Sequence, residues 1–168
     1  MPQQAIDDFN GLTDIQAAHA LFGICASPAW ARQVAAGRPY ADAAALFDNA
    51  DRVLAQLPES EIDAALDGHP RIGARVAANS RSAGEQAAVQ SAADELLDEL
   101  AAGNRAYEDR FGHVYLVFAS GRSARDLLDT LIVRLANDPA TERSEMRSEL
   151  AKINRLRLER LLAAGRES

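Results

Sequence analysis

Helix-start chemistry followed by apolar residues at helical spacing recurs along almost the whole chain, and that recurrence leaves little room for a sheet. Thr13-Asp14-Ile15-Gln16 has the form of a capping box, in which a hydroxyl and an amide satisfy free N–H groups of a first turn. Ile15, Ala18, Leu21 and Phe22 then share one face. Ser27-Pro28 places a cap before a first-turn proline, and Gly37 ends that helix. Between 40 and 57, Ala43, Leu46, Phe47, Ala50, Leu54 and Leu57 keep the spacing. Pro58-Glu59-Ser60-Glu61 opens a short helix through Leu66, closed by Gly68. A longer stretch spans residues 83–110, bent near Gly103-Asn104, with Leu96, Leu97, Leu100, Tyr107 and Phe111 as its apolar side. Residues 123–137 carry Leu127, Leu128, Leu131, Ile132 and Leu135 and end at Asp138-Pro139. Thr141 caps a last helix to residue 164, with Met146, Leu150, Ile153, Leu156 and Leu161 inward.

One segment breaks this period. His113-Val114-Tyr115-Leu116-Val117-Phe118-Ala119 is strand-like and lies between Gly112 and Gly121. One strand cannot form a sheet, and no partner run occurs elsewhere. The segment therefore reads as a buried extended run or a very short helical turn, either of which brings backbone N–H groups to a pocket. With 168 residues the chain is long enough for a real core without staples. The expected architecture is all-α: a single-domain bundle of short and long helices over 1–168, with one buried extended segment.

Several function classes are excluded by what is missing. A net charge of −7 argues against a sequence-independent grip on nucleic acid, which depends on clustered Lys and Arg. Cys25 is the only cysteine, which removes intramolecular disulfides and cysteine-rich metal sites. Its surroundings, Leu21-Phe22-Gly23-Ile24, suit a small buried hydrophobe rather than a nucleophile. No run of about 18 apolar residues predicts a membrane span. The first residues lack a basic region followed by an apolar one, so a soluble cytoplasmic protein is expected. No HExxH, Gly-x-Ser-x-Gly, phosphate loop or strand–GxGxxG–helix unit is present, so no metal site is expected.

The densest acid–base chemistry lies in a helix-poor stretch from Gly68-His69-Pro70-Arg71-Ile72-Gly73 to Ser82-Ala83-Gly84-Glu85-Gln86. His69 follows a helix-ending glycine, where a histidine commonly caps the last carbonyls. Pro70 biases His69 toward extended backbone, and a fixed imidazole at a pocket mouth can transfer a proton near neutral pH. Ser82-x-x-Glu85 has the form of another capping box. The same helix start offers donors and a partial positive charge to a carboxylate or carbonyl, and its field favours ionised Glu85. Gln86 suits the edge of a urea or amide. Arg134 either faces a pocket and offsets anionic charge or forms an ordinary surface ion pair. His19 and His113 are less specific. The acidic Asp94-Glu95 and Asp98-Glu99 are most simply a solvated helix face.

Taken in order, several elements resemble the ureidoimidazoline decarboxylases of urate breakdown. They are His69-Pro70-Arg71-Ile72-Gly73, Ser82-x-x-Glu85-Gln86, Asn104-x-x-Tyr107, Phe111-Gly112, Arg134-Leu135-x-Asn137 and Ile153 through Leu158. The chain departs from the family pattern at His113-Val114-Tyr115, which replaces an aromatic-proline-aromatic triplet. The resemblance implies an all-helical, cofactor-free homodimer. It further implies a small-molecule substrate, 2-oxo-4-hydroxy-4-carboxy-5-ureidoimidazoline (OHCU), and products CO2 and (S)-allantoin. By the same resemblance His69 is the catalytic acid, with Glu85 beside it in the reaction. Pro70, Ser82, Ala83, Gly84, Glu85, Gln86, Val117, Phe118, Ala119, Ser120 and Gly121 form the substrate-contacting segments. A non-catalytic helical module that binds a ureide in the same cleft is the alternative.

Overall fold

Local capping chemistry sets most of the helix starts. Thr13 Oγ1 accepts the Gln16 N–H at 3.1 Å while the Thr13 N–H donates to Gln16 Oε1 at 3.0 Å, completing the expected box. Ser27 Oγ accepts from Trp30 N–H at 3.1 Å, and Ser123 Oγ does the same for Asp126 N–H at 3.1 Å. The structure, a computed structural model, describes residues 2–69 and 87–165, with side chains at 3–69 and 94–165. Among the described residues there are eight helices and no strand. They are α1 (Pro2–Asn10), α2 (Asp14–Phe22), α3 (Pro28–Ala36), α4 (Ala43–Gln56), α5 (Glu59–Asp67), α6 (Ala87–Phe111), α7 (Ala124–Leu135) and α8 (Pro139–Ala164). The all-α expectation holds. None of these helices is long and apolar enough to cross a membrane.

The chain divides into two compact units, 1–68 with 151–168, and 69–150. In the first, Ile6, Leu21, Trp30, Leu46 and Ile62 are fully buried, and the Trp30 indole N–H donates to the Ala50 carbonyl at 3.1 Å. Helix α1 carries its own apolar face, Ala5, Ile6 and Phe9, which the motif reading had passed over. Cys25 is 1 % exposed, and burial pushes its thiol up to about 11, so it is a neutral apolar filler. On α2 the inward row is Ala17 and Leu21. Ile15 is 82 % exposed and Phe22 45 %, so the expected face is rotated.

In the second unit Leu100 and Tyr107 of α6 meet Leu127, Leu128 and Leu131 of α7, with Tyr115 and Val117 from the extended segment. Helix α6 continues through Gly103-Asn104. Gly103 is required by packing: a Cβ there would lie 2.5 Å from Leu131 Cδ2, and Leu131 is completely buried. Gly103→Ala gains about 1 kcal/mol in helix propensity. It is expected to lose about 1–3 kcal/mol to overpacking. Urea unfolding should show net destabilisation; a variant more stable than wild type would mean that Leu131 yields freely.

Three further expectations are corrected here. Ile132 is 58 % exposed rather than inward, and Val133 beside it 67 %. The inner row of α7 is Leu127, Leu131 and Arg134, spaced by four and three. The last helix starts earlier than Thr141. Asp138 is the cap, accepting from Thr141 N–H at 2.9 Å and from its hydroxyl at 2.8 Å, with Pro139 in the first turn. Met146, Leu150 and Ile153 of α8 are buried as expected. Leu158 and Leu162 take the inward places expected of Leu156 and Leu161, which are half-buried.

Candidate active site

His69 opens the second unit. The Gly68 N–H caps α5 on the carbonyls of Ala65 and Leu66. The His69 side chain is 7 % exposed, a polar ring taken out of water immediately before Pro70. Pro70, Ser82, Ala83, Gly84, Glu85 and Gln86 lie outside the described residues.

Residues 113–119 form neither helix nor strand and have no strand partner among the described residues, yet Tyr115, Leu116 and Val117 are buried. Buried peptide groups must be satisfied. Here side chains from the helices do it. Arg134 Nη1 donates to the Leu116 carbonyl at 2.6 Å, and the Phe118 N–H donates to Glu149 Oε1 at 3.3 Å. The Tyr115 hydroxyl donates to the Leu127 carbonyl at 3.1 Å. The segment then turns: Arg122 N–H donates to the Ala119 carbonyl at 3.0 Å, and Gly121 adopts φ +75°. That left-handed backbone is the one glycine takes without strain. Phe118 and Ala119 are half-buried, while Ser120 and Gly121 reach the surface.

Arg134 is 4 % exposed, which rules out the surface ion pair. Its Nε donates to Glu142 Oε1 at 2.7 Å, and Nη2 meets the same oxygen. Glu142 is fully buried and also accepts from the Tyr107 hydroxyl at 2.6 Å and from Asn137 Nδ2 at 3.1 Å. The Arg134 guanidinium lies over the rings of Tyr115 and Tyr107, 4.9 and 5.9 Å from their centroids. Burial alone would pull the guanidinium pKa down, but the Glu142 carboxylate holds it above its ordinary value. Burial, reinforced by Glu142, lifts the Tyr107 phenol far above the ordinary range. Burial pushes Tyr115 up to about 12.

Burial raises Tyr40 as well, so all three tyrosines of the chain are shifted in one direction. Each keeps its proton longer folded than unfolded. Their contribution to stability is therefore complete below pH ~10, the ordinary phenol value, and is lost as pH rises further. For Tyr115 that loss extends to about pH 12. An alkaline titration should show tyrosinate absorbance late and together with unfolding. Titration of one tyrosine at its ordinary pKa with the fold intact would contradict this burial.

Glu142 and Glu149 carried no signal in the motif reading, where single glutamates in a charged helix look solvated. Tyr107 was visible on the apolar side of its helix, and Asn137 only as part of the resemblance. Among the described residues, no three His, Cys, Asp or Glu side chains gather into a metal-binding group.

Residues 10–159 match the family model described as OHCU decarboxylase. The chain belongs to that family. It is 31 % identical over 144 residues to the 2-oxo-4-hydroxy-4-carboxy-5-ureidoimidazoline decarboxylase of Amia calva, covering 80 % of this chain and 81 % of that one. It is also 30 % identical over 146 residues to the uric acid degradation bifunctional protein TTL of Arabidopsis thaliana, covering 83 % of this chain and 45 % of that protein. The chain spans less than half the length of the bifunctional relatives that it matches. An OHCU decarboxylase crystallised in the presence of (S)-allantoin superposes with TM-score 0.72 at 26 % identity, over 84 % of this chain and 96 % of that chain.

Proposed function

We propose that this chain is a carboxy-lyase that converts OHCU to (S)-allantoin and CO2 in urate breakdown. The observation that carries the reading is the continuous family match over 10–159, which takes in His69 and the extended segment together. It also supports treating the two units as one catalytic domain. A similar decarboxylase and a similar solved structure support the substrate class.

In this reading the bond between the ring carbon and the carboxylate breaks, and CO2 leaves. The electron pair left on carbon is delocalised into the ring imine and carbonyl system, which is why the chemistry needs no cofactor. Buried His69 promotes carboxylate loss and delivers a proton to one face of that carbon, making the new C–H bond. Ionised Glu85 orients the hydroxyl or a ring N–H, while Ser82 and Gln86 hold the ureido group. Pro70, Ala83 and Gly84 contact the substrate as well, and Val117 to Gly121 do the same. One-sided protonation yields a single enantiomer, whereas decay in water has no such control. The proposal includes a homodimer, supported by the family resemblance, and sedimentation velocity checks it.

The test is a time course of absorbance and circular dichroism on OHCU generated in situ from urate by the upstream enzymes. Accelerated decay with the dichroism of (S)-allantoin is expected. The spontaneous rate with racemic product would overturn the assignment in favour of a ureide-binding module.

A further inference from the structure

The extended segment would present its backbone to a bound substrate, yet two of its peptide groups are already held from behind. Leu116 C=O is gripped by Arg134 of α7, and Phe118 N–H by Glu149 of α8. The two groups belong to residues two positions apart on the same run. Glu149 is 8 % exposed, so its carboxylate is withheld from bulk water. The Phe118 peptide is thereby held by a largely buried carboxylate, and a charged acceptor makes the stronger kind of hydrogen bond.

We infer that Glu149 is a positioning residue for the proposed decarboxylation: by holding the Phe118 peptide, it sets the path of Phe118, Ala119 and Ser120 along the substrate. Arg134 performs the matching task at Leu116. Its guanidinium is taken up by Glu142 and that carbonyl, so it acts through the segment rather than on the substrate. This inference rests on the decarboxylase reading, and it places neither side chain in contact with reacting atoms. The property of Glu149 that this role uses is an acceptor oxygen at that reach.

Three substitutions separate that property from the charge. Glu149→Gln keeps an acceptor oxygen at the same reach without the charge. Glu149→Asp keeps the charge but withdraws the acceptor by one methylene. Glu149→Ala removes both. Two readouts are taken on each: amide hydrogen exchange at Phe118, and kcat, KM and the enantiomeric composition of the allantoin formed. The expected result is faster Phe118 exchange in the Asp and Ala variants, with kcat lower by about 10- to 100-fold and KM changed far less. Glu149→Gln should keep exchange and kcat near wild type. Gln failing while Asp rescues would overturn the inference in favour of a charge effect. So would unchanged Phe118 exchange in Glu149→Asp, or full turnover in a variant whose Phe118 exchange has risen. A wild-type chain that does not accelerate OHCU decay removes the decarboxylase reading and the positioning role with it. Exchange at Phe118 would still show in that case whether Glu149 holds the peptide.

Discussion

Replacing His69 with Asn is expected to lower kcat for OHCU decay by about 10²–10⁴-fold, the usual contribution of one positioned proton donor. Asn keeps a polar group in a site that is 7 % exposed, so thermal unfolding should change little. The product that still forms should drift toward the racemate, because protonation then comes from water on either face. Rate and enantiomeric composition can be read from the same dichroism trace. A variant that turns over near the wild-type rate would remove His69 from the chemistry. A slow variant that still gives only (S)-allantoin would assign the stereochemistry to another group. With KM unchanged, the loss would lie in the transition state alone.

The largest expected loss of stability comes from Glu142→Ala. That change leaves the Arg134 guanidinium buried without its carboxylate and strips an acceptor from the Tyr107 hydroxyl and from Asn137. Breaking a buried pair from one side costs about 3–5 kcal/mol, because an uncompensated charge stays inside. Removing both charges together, as in Arg134→Met with Glu142→Leu, should recover much of that loss in stability. It should not recover turnover, since the Leu116 carbonyl then has no donor. Urea unfolding and a turnover assay on the single and double variants test both halves. Equal stability of Glu142→Ala and wild type would mean that water reaches Arg134.

Short-range chemistry was the legible part of this fold. The Thr13 box, the Ser27 cap and the glycine stops at 37 and 68 depend on atoms within about one helical turn, where sequence order and spatial order coincide. Periodicity identified helices correctly but not which side of each one packs. Ile15 and Ile132 were assigned inward because an apolar residue at helical spacing carries no information about the partner surface. Arg134 shows the reverse. A buried arginine is intelligible only with Glu142 known to lie beside it, and that carboxylate arrives from a different helix. The extended segment was recognisable by its alternation and flanking glycines, but its anchors were not. Phe118 and Glu149 are 31 positions apart, and the contact uses a backbone N–H that every residue type except proline has. Of the site itself, His69 stood out between Gly68 and Pro70, but its burial did not show in the sequence.

The anchoring of residues 113–119 also bears on how this segment tolerates evolutionary change. Arg134 and Glu149 grip a carbonyl and an N–H, atoms that do not depend on which amino acid supplies them. The backbone path is therefore specified by two distant helices as well as by the buried side chains of Tyr115 and Val117. Both gripped groups lie downstream of His113 and Val114, which are half-buried. A substitution in that pair leaves both anchors in place, whereas an error at Arg134 or Glu149 releases a peptide whatever side chains the segment carries.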